Sequence, residues 1–155
     1  MAAAFPTLSS SSTASIENVS ITNSQINYTS SSTVQTYTGA VAGEFRGSIL
    51  GLTVDNVSMN VTSTSYGKVK IGGAVGLLNE DGRLKEANVN VDIHFTLAGA
   101  ALKNRDVQVN VGGVIGDHNA RNNNKAVENV ASMSEITVDL DFGTTADTTS
   151  GNYAV

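Results

Sequence analysis

The chain has 155 residues, a mass of 16.0 kDa, a charged fraction of 15% and a net charge of −5. That length fits one domain, and 40% hydrophobic residues suffice to bury a core, so wholesale disorder is excluded. Nine scattered basic residues make no nucleic-acid footprint, no apolar run reaches the ~20 residues of a membrane helix, and the lack of cysteine excludes disulfides, zinc-thiolate sites and thiol nucleophiles.

Residues 1–15, MAAAFPTLSSSSTAS, are uncharged, aperiodic and hold the only proline, Pro6. They read as a flexible arm before a domain spanning residues 16–155. Met1 to Leu8 lacks the basic and long apolar regions of a complete secretory leader. A first strand is expected around Ile16, Val19 and Ile21. A Ser/Thr run, Thr29 to Thr33, follows it.

From there the dominant signal has period two. Val57, Met59 and Val61 alternate with Ser58 and Asn60. Val89, Val91, Ile93 and Phe95 alternate with Asn90, Asp92 and His94. Val107, Val109 and Val111 alternate with Gln108 and Asn110. Ile136, Val138, Leu140 and Phe142 alternate with Thr137, Asp139 and Asp141. Such alternation puts one set of side chains on a buried face and the other in water, and β-branched residues dominate the buried set. The best helical candidate, 97–105, allows a turn or two at most. Residues 144–152, TTADTTSGN, are polar.

The strands repeat. Gly39-Ala-Val-Ala-Gly43, Gly72-Gly-Ala-Val-Gly76 and Gly112-Gly-Val-Ile-Gly116 share a glycine-framed pattern. Asn-Val pairs follow at Asn56, Asn88 and Asn129, with an earlier copy at Asn18. The expected unit is an Asn-Val strand, a variable loop, a glycine-framed strand and a polar turn, 33–40 residues long. Glycines Gly39, Gly43, Gly72, Gly73, Gly76, Gly112, Gly113 and Gly116 suit corners that need positive φ or close backbone approach. Repetition at this period without helix predicts an all-β chain: a short, β-helix-like β-solenoid of about four repeats whose stacked Val/Ile rows form the core. A repeated Asn could stack as a hydrogen-bonded ladder. The last residues, Tyr153-Ala154-Val155, resemble the entry to a glycine segment, so the fourth unit stops partway.

YTGAVAGEFRGSI, KIGGAVGLLNEDGRL and NVGGVIGDHNARN, each followed by an Asn-Val strand, resemble the GLUG motif over residues 37–142. That repeat occurs in bacterial surface proteins, including adhesin-like proteins and the non-catalytic part of some IgA-cleaving metallopeptidases. The first copy departs from the pattern at Ala40 and Ala42. The resemblance implies a repetitive, surface-exposed β-structure and no activity. The zinc-peptidase signature His-Glu-x-x-His is absent.

Nothing in the chain makes a strong chemical site. His94 and His118, with Asp92 or Asp117 near in sequence, lack a metal-ligand spacing and read as surface histidines. Asp139 with Asp141 reads as a wet strand face rather than a glycosidase pair, and Asn79-Glu-Asp-Gly82 as a turn. Gly72–Gly76 lacks the Gly-Lys-Ser/Thr ending of a phosphate loop. Asn18, Asn27, Asn56 and Asn60 are N-glycosylation sequons that matter only on a glycosylating secretory route. Aligned Thr-x-Thr pairs, as an ice-binding face needs, are not evident.

The expected function is structural and non-enzymatic, with no cofactor. The chain is expected to be an extracellular or cell-surface filament subunit or adhesin repeat that assembles with itself. Pairing would use the open end strands: Ile16, Val19 and Ile21 at one end, and Ile136, Val138, Leu140, Tyr153, Ala154 and Val155 at the other. The alternative is a monomeric module that binds a host glycan or protein through its loops, with Lys103, Asn104, Arg105, Asn119, Arg121 and Asn122 as candidates. Neither reading involves nucleic acid or membrane insertion.

Overall fold

A computed structural model describes residues 14–64, 67–98, 108–119 and 126–141. The described chain is all-β, with no helix. Three long strands, β1 (Ser15–Ser30), β4 (Ser48–Ser63) and β7 (Arg83–Ala98), have 16 residues each. Two short strands follow each long one. These are β2 (Gln35–Gly39) and β3 (Ala42–Phe45), then β5 (Lys68–Gly72) and β6 (Val75–Leu78), then β8 (Gln108–Gly112) and β9 (Ile115–His118). The fourth pass is split into β10 (Val127–Ser132) and β11 (Glu135–Asp141).

Three sheets result. The long strands pair in the order β1-β4-β7-β10, with β11 also on β7. The short strands form β2-β5-β8 and β3-β6-β9. Every pairing is parallel. Over the first three passes the chain therefore visits the three sheets in one order, and each described strand lies beside its counterpart from the pass before. We call one such pass a rung.

The register shows why these residues form these strands. Ile16, Ile49, Leu84 and Val127 share one level, as do Ile26, Met59, Ile93 and Ile136, and Tyr28, Val61, Phe95 and Val138. Like stacks on like, so the apolar half of each alternation continues through the rungs. The middle rungs are sealed: Ile49, Leu84, Met59 and Phe95 have no exposed surface. The end rungs are not, with Val127 44%, Tyr28 43% and Ile136 41% exposed. Fully burying such side chains contributes about 1.5–3 kcal/mol each, and a single rung lacks the neighbours to do it.

The long strands bend at a shared level. Asn18, Glu86 and Asn129 have φ of 54°, 55° and 54°, and Gly51 has 69°. The register sets these four side by side, between the level of Glu17, Leu50, Lys85 and Glu128 and that of Val19, Leu52, Ala87 and Val130. A second left-handed level joins Asn23 (48°) to Asn56 (52°). It ends there, because β7 has one residue fewer and the β4–β7 register shifts between Val54 and Val57. Asn tolerates the left-handed region through local hydrogen bonding, which Glu does not.

Two sequence expectations need correction, and a third resolves to one of its two alternatives. The Asn-Val pairs are not equivalent: Asn18 lies level with Gly51, Asn56 with Asn23, Asn88 with Thr53, and Asn129 with Glu86. The bulge in β4 and the length differences between rungs break the apparent spacing. The glycine-framed segments are not strands but bends between two short strands, β2 into β3, β5 into β6 and β8 into β9. Their framing glycines are absent from the left-handed residues, where Gly47 and Gly51 stand instead. Close approach is what requires them. A Cβ at Gly43 would lie 2.5 Å from the Tyr37 carbonyl oxygen, and one at Gly76 2.6 Å from both the Gly43 carbonyl oxygen and the Thr38 nitrogen. The two short sheets thus meet backbone to backbone.

Candidate functional site

The two edges of the long sheet are the first candidate. Among the described residues β1 pairs with β4 alone, and β10 and β11 pair with β7 alone. Each edge carries a row of backbone N–H and C=O groups facing away from its neighbour. Of the expected interface residues, Ile16, Val19, Ile21, Val138 and Leu140 are half-buried and packed against the core, and Ile136 is exposed. Their side chains therefore form the open ends of the apolar rows, while the strand backbones form the edges. Tyr153, Ala154 and Val155 lie outside the described residues, as does the arm up to residue 13.

The outer face of the long sheet is polar and laddered. The Asn60 amide donates to Asn27 Oδ1 at 3.0 Å, Asn56 to Asn23 Oδ1 at 2.6 Å and Asn90 to Asp55 Oδ1 at 3.0 Å. The asparagines that ladder are thus Asn27 with Asn60 and Asn23 with Asn56. Thr29, Thr62 and Thr96 share a level, but the level beside it holds Asn27, Asn60, His94 and Thr137. Lys85 pairs with Glu128 at 2.6 Å, and His94 Nε2 lies 2.8 Å from Asp139 Oδ2. Both pairs tie the last rung to β7, in exposed or half-exposed settings where ion pairs contribute little.

A tighter cluster sits between the short sheets. Lys70 Nζ lies 2.6 Å from Asp117 Oδ2 and 5.3 Å from the Tyr37 ring centroid. Burial pushes the Asp117 carboxyl up, but the hydrogen bond and charge of Lys70, with the His118 backbone N–H, outweigh it and hold the group below the usual carboxylate range. Burial raises the Tyr37 hydroxyl, with Lys70 opposing. The Tyr37 hydroxyl donates to Gln35, and Asn79 donates to Glu44. The Lys70 and Asn79 contacts join rungs, while the Tyr37–Gln35 bond lies within β2.

A groove of about 290 Å³ opens where the β4 bulge meets the break between β10 and β11, lined by Asp55, Asn88, Asn90, Ser132 and Met133 among others. Met133 is 81% exposed. No nucleophile–base pair lines it. Among the described residues no three His, Asp or Glu groups converge as metal ligands, and no helix is long and apolar enough to cross a membrane. His118 closes β9 rather than sitting in the turn after it, and the carboxylate that meets His94 is Asp139. Asn79–Gly82 forms the expected turn, closed by the Gly82 N–H on the Asn79 carbonyl at 2.8 Å.

Of the loop candidates, Asn119 donates to Asn79 Oδ1 at 3.4 Å, linking two rungs. Lys103, Asn104, Arg105, Arg121 and Asn122 lie outside the described residues. An asparagine ladder was expected, but its pairs, Asn23 with Asn56 and Asn27 with Asn60, and the left-handed backbone of Asn18, Asn23, Asn56 and Asn129 were not. Their signal was a constant offset of 33 residues between the first two rungs, which aligns Asn23 with Asn56 and Asn27 with Asn60. No family model, curated protein or solved structure matches the chain.

Proposed function

We propose that the protein is a structural, non-enzymatic building block: a short β-solenoid, related to GLUG-repeat surface proteins, that assembles with copies of itself at the cell surface or outside the cell. The observation that carries this reading is the asymmetry between middle and ends. Ile93 is 2% exposed, while Ile136, its neighbour on the same level, is 41% exposed. A copy placed on that edge would bury the open end of every apolar row and extend the long sheet. Parallel ladders that repeat from rung to rung support the solenoid description. The low charge density of 15% lets like surfaces approach with little repulsion.

Pairing unlike edges is heterologous, so it adds subunits without closing unless curvature brings the ends together. Ile136→Lys and Val127→Lys test this reading. Both positions are accessible enough in the single chain for an ammonium to reach water, whereas a stacked copy would bury it. Sedimentation should show oligomers for the unsubstituted chain and monomers with unchanged circular dichroism for both variants. Oligomers unaffected by either charge would exclude assembly through this edge.

A further inference from the structure

We infer that the junction between copies has one register, with β1 of one copy parallel to β10 and β11 of the next and Asn18 placed beside Asn129. This rests on the assembly reading above and specifies its partner surface. Two features select it.

The first is the left-handed level. Within the chain, a residue of positive φ always faces another at this position: Asn18 with Gly51, Gly51 with Glu86, and Glu86 with Asn129. Strands kinked at the same point keep their ladder without a shift, whereas the kink at Asn56, which β7 does not share, comes with a shift in register. The outermost kinks, Asn18 and Asn129, have the same φ of 54°. Sliding the copies by two residues would leave both kinks opposite extended backbone.

The second is alternation. At the inferred register Ile16 meets Val127, Val19 meets Val130, Ile26 meets Ile136 and Tyr28 meets Val138, because each pair shares a level within the chain. A slip of one residue would turn the apolar residues of one copy onto the polar face of the other. The two edges also differ by one residue between the kink and Gln25 or Glu135. β4 and β7 already absorb that mismatch, by the shift between Val54 and Val57. The junction therefore needs no geometry the sheet does not already contain. A β1-to-β1 contact made by a two-fold axis normal to the sheet would be antiparallel, so it would not set each level beside its counterpart.

The chain has no cysteine, so introduced pairs report cleanly. Gln25 and Glu135 share a level and are exposed, and neighbouring strands suit a disulfide's Cα separation. The chain carrying both Gln25→Cys and Glu135→Cys should shift, on mild oxidation, from a monomer band to a ladder of covalent multimers. Gln25→Cys with Thr137→Cys, two residues out of register, should remain monomeric on a denaturing gel. Oligomers in solution without the first ladder, or with equal ladders from both pairs, overturn the register but leave assembly standing. A dimer from Gln25→Cys alone overturns it in favour of contact between like edges. Absence of oligomers from the unsubstituted chain overturns the assembly reading and the register with it.

Discussion

Lys70 of the second rung reaches Asp117 of the third across 2.6 Å, joining two sheets and two rungs in one contact. Lys70 is 13% exposed and Asp117 32%. The pair thus sits where Coulomb attraction survives screening better than at an open surface.

A pH dependence follows. The folded Asp117 carboxyl is held below its ordinary value, so the carboxylate adds stability at neutral pH. That contribution is lost as pH falls through the folded value. Asp117→Asn should therefore cost about 1 kcal/mol at neutral pH, and the difference from the unsubstituted chain should vanish in strong acid. Urea denaturation at both pH values measures it. A constant difference would show that the amide disturbs packing instead.

The glycine bends predict a large loss. A Cβ at Gly76 meets backbone on every side, including the Lys70 carbonyl oxygen at 2.8 Å. Gly76→Ala should destabilise by about 3 kcal/mol, the upper range of overpacking. Thermal unfolding followed by circular dichroism reads the shift. A neutral outcome would mean that the short sheets separate easily.

Glu86 predicts a gain. Its φ of 55° places a long side chain where its level-mates are Asn18, Gly51 and Asn129. Glu86→Gly removes left-handed strain of roughly 1–2 kcal/mol, less the larger entropy a glycine loses on folding. A net rise in stability of up to about 1 kcal/mol is expected, read from the urea midpoint. Glu86→Val should lower it.

Thr38 offers a second gain. Its hydroxyl is buried without a hydrogen-bond partner, level with Ile71 and Val111. Thr38→Val keeps the shape and removes the desolvated oxygen, for a gain of about 1 kcal/mol. Thr36, whose hydroxyl meets Ser30 at 2.7 Å, should lose stability under the same substitution. The two variants compared by differential calorimetry separate hydroxyl satisfaction from β-propensity.

The alternating residues made the strands legible. Val57 to Val61, Val89 to Phe95 and Ile136 to Leu140 occupy β4, β7 and β11. The glycine offsets made the repeat legible as well: Gly39, Gly72 and Gly112 share a level. Finer alignment failed at Asn88 and Asn56 because a bulge changes residue count without changing the local pattern. Glycines were expected where positive φ or close backbone approach is needed. The chain uses Asn at three of four first-level and second-level bends in β1 and β4, and keeps its framing glycines for contact between backbones. Composition shows which residues can do either task, but only the register shows which one each does.

Negative-stain electron microscopy of the unsubstituted chain near neutral pH tests the central claim most directly. Stacking of the β1 edge on the β10 and β11 edge predicts unbranched filaments or regular stacks that lengthen with concentration. Uniform particles of single-chain size at every concentration would contradict it.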